Sequence, residues 1–142
     1  MPRICRNFTL HGYKAKYSKP RRIRIERIDG EFKNKEAADG VTVIFFAKAP
    51  KGEHIVVGWY ENATVYRERR RYQGREYNIT AKAIGCKLID WKNRNYVVPK
   101  GPMQKKKYGV GAGQSNIWYA DKTQLDKEFV KKTLEYINNL SV

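Results

Sequence analysis

Residues 41–60 read VTVIFFAKAPKGEHIVVGWY, and the fold turns on how they are paired. VTVIFFAK (41–48) is a nearly continuous apolar run, the pattern of a strand buried on both faces. APKGE (49–53) is turn chemistry and HIVVGWY (54–60) is a second strand, so the stretch predicts a hairpin. Downstream, ATVYRER (63–69) predicts a third strand after a short break at Glu61-Asn62. EYNITAKAI (76–84) alternates Tyr77, Ile79, Ala81 and Ala83 with polar neighbours, and CKLI (86–89) and NYVVP (95–99) give two more short strands. Upstream, RIRIERI (22–28) alternates isoleucine with arginine, as a strand with one packed and one basic face would.

Only the C-terminus is clearly helical. In residues 121–140, Leu125, Phe129, Val130 or Leu134, Ile137 and Leu140 share one stripe at helical spacing. Asp121 is placed to cap this helix, with Gln124 three residues on. NKEAA (34–38) offers a second, weaker helix. Residues 99–118 carry no clear element, and loops of that length are usually functional or mobile. Six or seven short strands with a late helix indicate one α+β domain: a small, curved, mostly antiparallel sheet or barrel with a C-terminal α-helix.

The chain has 142 residues and a formal net charge of +16, from 30 Lys and Arg against 14 Asp and Glu. Such an excess points to a polyanionic partner, nucleic acid before a membrane surface. Residues 1–35 carry +8, residues 36–60 carry −1, residues 61–100 carry +6 and the remainder +3. The basic clusters are KAKYSKPRRIRIER (14–27), RERRRYQGR (67–75) and KKK (105–107). Arg67, Arg69, Arg70 and Arg71, with Lys105, Lys106 and Lys107, are therefore the candidate phosphate contacts. Cys5 and Cys86 lack metal-ligand spacing and are expected to be buried, reduced thiols of a cytoplasmic protein. No secretory signal or apolar run near membrane length is visible, and no motif calls for a cofactor or metal.

Binding chemistry concentrates in two stretches. VVGWYENATVYRERRRY (56–72) interleaves Trp59, Tyr60, Tyr66 and Tyr72 with arginines, pairing surfaces for stacked bases with groups that hold phosphate. Asn62 adds an amide able to read a base edge. GAGQSNIWYAD (111–121) sets Gln114, Ser115 and Asn116 beside the flat wall of Trp118, the ingredients of a pocket for an extruded base. Each feature also has a plain structural reading: Trp59, Tyr66 and Trp118 as core aromatics, Asn62 as a turn residue.

The strings VVGWY-x-NATVYR and GQSN-x-WYAD resemble N-terminal domains that precede nuclease domains in bacterial and archaeal restriction-type proteins. The resemblance covers most of residues 40–121. More distantly, the strand pattern is similar to the PUA-like superfamily of small mixed barrels, with its EVE, YTH and ASCH domains. The resemblance implies a non-enzymatic reader of double-stranded DNA carrying a modified base, with cleavage by a separate nuclease domain or subunit. It implies a base pocket of Trp59, Tyr60, Asn62, Gln114, Ser115, Asn116 and Trp118. PUA-like relatives also bind RNA, which keeps an RNA reader open. Two further alternatives are a metal-dependent nuclease using Asp29 and Glu31 of IDGEFK, with Lys33, and a basic scaffold subunit without base preference.

Overall fold

The computed structural model describes residues 3–4, 22–113 and 117–140. β2 (Ala37–Lys48) and β3 (His54–Tyr72) form the predicted antiparallel hairpin. Its turn is closed by bonds from the Ala49 N–H to the Glu53 carbonyl and from the Gly52 N–H to the Ala49 carbonyl. Gly52 sits at φ +94°, where a side chain would be strained. β1 (Arg3–Ile4) lies parallel to β2 on its other side.

β3 is the spine of the molecule. Its far edge is shared by several partners in succession: residues 96–98 bond to His54–Val56, β5 (Cys86–Leu88) to Gly58–Tyr60, and β4 (Arg75–Thr80) to the C-terminal half. Gly58 lets β5 approach, because a Cβ there would meet the Lys87 carbonyl at 2.4 Å. The fold is thus α+β with a largely antiparallel sheet. No pairing among the described strands joins its two edges into a barrel.

Both faces of the hairpin are buried, as the unbroken apolar run requires. Val41, Val43 and Phe45 pack with Ile23, Ile25, Ile28, Phe32 and Tyr119 on one face. Ile44, Phe46 and Trp59 pack with Ile89, Val98, Val130 and Ile137 on the other, under helix α2 (Gln124–Asn138). Each fully buried side chain of this size contributes about 1.5–3 kcal/mol. Tyr96 joins α2 to the sheet: its ring stacks on Tyr136 at 4.4 Å and its hydroxyl meets that of Thr133 at 3.0 Å.

Several elements differ from the sequence expectation. RIRIERI is not a strand. A 3-10 turn at Ile25–Arg27 rotates the chain so that Ile23, Ile25 and Ile28 all enter the core. The expected break at Glu61-Asn62 is a bulge inside one continuous strand, with Asn62 at φ +52°. NKEAA forms no helix, since Ala37 and Ala38 begin β2 opposite Tyr66 and Val65. NYVVP contributes only a bridge, from Val97 to Ile55. Residues 99–118, expected to lack an element, contain a short helix α1 (Pro102–Tyr108), begun by proline and ended by Gly109 at φ +75°.

Helix α2 is capped by Thr123, whose hydroxyl accepts from the Asp126 N–H while the Asp126 carboxylate accepts from the Thr123 N–H. Asp121 is not the cap; it binds Arg27 instead. Leu125, expected on the packed stripe, is exposed. The Cys86 thiol is free and exposed rather than buried, and Cys5 lies outside the described residues. Among the described residues no helix is long and apolar enough to cross a membrane.

Candidate nucleic-acid interface

The last β2–β3 pair is Ala37 with Tyr66. Beyond it β3 runs on without β2, bulges over residues 66–69, and re-pairs with β4 as Arg70–Tyr77, Arg71–Glu76 and Tyr72–Arg75. Gln73 and Gly74, at φ +49° and +75°, close this second hairpin as a two-residue turn with both residues left-handed, the geometry that matches strand twist. Residues 70–77 are therefore a two-stranded ribbon reaching past the end of the sheet; together with the bulge that leads into it, residues 67–77 carry five arginines against Glu68 and Glu76.

Pleating sorts the ribbon's side chains onto two faces. On one, Glu76 accepts from Arg69 at 2.5 Å and from Arg71 at 2.8 Å. Those bonds, from Arg71 and then Arg69, hold the Glu76 carboxyl below its usual value. On the other face the Arg70 guanidinium lies 4.2 Å from the Tyr66 ring centroid, and Tyr77 meets Tyr66 edge-on at 6.1 Å. Tyr72 and Arg75, paired with each other, share that face by register. Tyr72 is 66% exposed.

Arg67, expected on phosphate, is committed within the protein. Its guanidinium donates to the carbonyls of Phe32, Lys33 and Lys35 and to Glu26, and its side chain is only 16% exposed. It is the tie that fastens the 25–35 turns to the bulge of β3. The Glu26 carboxyl is lowered, first by a backbone hydrogen bond and then by Arg67. Arg69 is half-buried and clasped, whereas Arg70 and Arg71 are exposed. Lys105, Lys106 and Lys107 are exposed on α1, an element apart from the ribbon.

The described base-pocket candidates, Trp59, Tyr60, Asn62 and Trp118, are divided between the two cores and the surface. Trp59 is 2% exposed in the α2-side core, its Nε1–H donating to Glu61 at 3.1 Å, which leaves no ring face for a ligand. Tyr60 points to the opposite face, edge-on to Phe45 at 4.7 Å, and burial raises its hydroxyl pKa. Asn62 is exposed on its bulge. Trp118 is half-buried against Phe129, with ring centroids 5.5 Å apart. Gln114, Ser115 and Asn116 lie outside the described residues. The end of the same motif is structural: Arg27 donates to Asp121 at 2.6 Å, lies 4.2 Å over the Tyr119 ring, and the Tyr119 hydroxyl accepts from the Arg24 N–H at 2.8 Å.

Asp29 spends one carboxylate oxygen on the Glu31 N–H, capping a 3-10 turn. Among the described residues no three His, Cys, Asp or Glu side chains gather to hold a metal. The sequence marks Tyr77 only as a strand residue and Arg75 only as part of a basic cluster; extending the alternation through Gln73-Gly74 is the signal that places both beside Tyr66 and Arg70. The chain matches no protein-family model, no curated protein and no solved structure.

Proposed function

We propose that this chain is a nucleic-acid-binding module, the recognition part of a restriction-type system that reads modified DNA while a separate domain or subunit cuts. The observation that carries the reading is the arginine-rich segment of residues 67–77, whose paired ribbon at 70–77 extends beyond the sheet and is free of core side chains at its tip. A two-stranded β-ribbon is one of the shapes the major groove admits, and its arginines supply phosphate contacts. Recognition of a modified base follows from the resemblance rather than from a visible cage. The accompanying PUA-like reading of the sheet requires hydrogen bonds from its β1 edge to the β4–β5 edge, which amide-to-amide contacts in solution would establish.

The test is fluorescence-anisotropy binding to one duplex prepared unmodified, with methylated or hydroxymethylated cytosine and with N6-methyladenine, alongside RNA equivalents, each at two salt concentrations. Preference for one modified duplex supports the reader; preference for RNA supports the RNA alternative. The triple variant Arg70→Glu, Arg71→Glu, Arg75→Glu should lose at least about tenfold in affinity. Its log K against log salt should flatten by about 0.9 for each phosphate that is no longer neutralised. A variant that binds like the parent would remove the ribbon from the interface, and absence of any binding at low salt would end the proposal.

A further inference from the structure

We infer that the tyrosine face of the ribbon is a stacking platform for unpaired nucleobases, so that the bases this protein engages are single-stranded or extruded ones, received at the ribbon and not at Trp59. The inference rests on the nucleic-acid reading above and specifies its site and ligand. It follows from the segregation of the two ribbon faces. Arg69 and Arg71 share a glutamate, so their face is partly neutralised within the protein. The opposite face holds Tyr66, Arg70, Tyr72, Arg75 and Tyr77, with no carboxylate at the paired positions 70–72 and 75–77 on that side.

Two observations make that face a stack rather than a scatter of side chains. The Arg70 guanidinium already sits over Tyr66, 4.2 Å from its ring centroid, with Tyr77 edge-on to that ring, so a guanidinium and two aromatic rings are assembled without a ligand. Tyr72 stands beyond them at 66% exposure, next to the turn, with no core to fill. Aromatic and guanidinium planes accept any base face, and adjacent cations hold the phosphates between bases. A paired base in a duplex offers only its edge, so the platform selects bases that are out of the stack.

The experiment uses the full chain, an oligothymidylate of about twelve nucleotides, an abasic oligomer of equal length and a duplex. The parent should bind the oligothymidylate well above the abasic strand, which has the phosphates without the bases. Tyr72→Ala should lose about tenfold or more on the oligothymidylate with its salt slope unchanged, while Tyr72→Phe stays within about twofold. Arg71→Gln, on the opposite face, should flatten the salt slope and keep the preference for bases over abasic sites. Equal binding of oligothymidylate and abasic strand overturns the inference, as does Tyr72→Ala binding like the parent or a duplex preference insensitive to Tyr72. Those results leave nucleic-acid binding standing. No binding to any of the three overturns both.

Discussion

Trp59 shows why residue identity and residue role separate in this chain. Its indole is the right surface for a base, yet alternation along β3 turns it toward α2, where it is sealed between the sheet and the helix. Trp59→Ala should cost about 3–5 kcal/mol in folding free energy, measured by denaturant unfolding, and lower nucleic-acid binding only as the folded fraction falls. A stable Trp59→Ala with selective loss of one base would restore it to the site. Arg67 has the same lesson for charge: four acceptors hold it, so one arginine of the basic run is a fastener. Nothing in RERRR distinguishes it, because the acceptors are carbonyls supplied by residues 32–35 and a carboxylate at Glu26, all remote in sequence. The burial of VTVIFFAK on both faces, by contrast, is legible from its own composition.

At the level of elements, local chemistry announces a turn or a cap only when the residue type is the usual one. Ala49–Glu53 is legible because proline and glycine mark it. The ribbon turn is less so, since Gln73 occupies a left-handed position where asparagine or aspartate is the familiar signal. α2 begins at Gln124, so Thr123 holds the capping position, while Asp121, the acidic residue the sequence suggests, lies two residues too early and is bound to Arg27. The ribbon's clasp also makes a pH prediction. Glu76 has its carboxyl lowered in the fold, so the stability it contributes is fully present above its ordinary value of 4.5 and is lost as pH falls through the lower folded value. Protonation there releases Arg69 and Arg71 to phosphate. In an oligothymidylate titration, Glu76→Gln should bind more tightly than the parent at neutral pH, and the parent should converge on it as pH drops below 4.5. Curves that stay parallel would mean the clasp does not compete with the ligand.

Taken as a whole, the described residues form two cores on one hairpin. β2 and β3 give side chains to both, so neither core can open without loosening the strands that the other needs. Tyr119 and Trp118, adjacent in sequence, belong to opposite cores and tie them further. Ile28→Ala and Ile137→Ala, one in each core, should therefore each lower stability by about 2–5 kcal/mol in a single transition. Far-ultraviolet dichroism and tryptophan fluorescence should trace the same curve; separate midpoints would show two independent units. The ribbon stands outside this cooperation, since its tip from Arg70 to Arg75 buries nothing. Its pleat has a metric consequence. Side chains on one face of a strand recur about every 6.8 Å, and stacked nucleotides of one strand advance about 3.4 Å. A strand of bases laid along the ribbon would keep step with it, every second base meeting a side chain, so that lengthening each strand of the hairpin by two residues beside Gln73-Gly74 would lengthen its footprint by about two nucleotides.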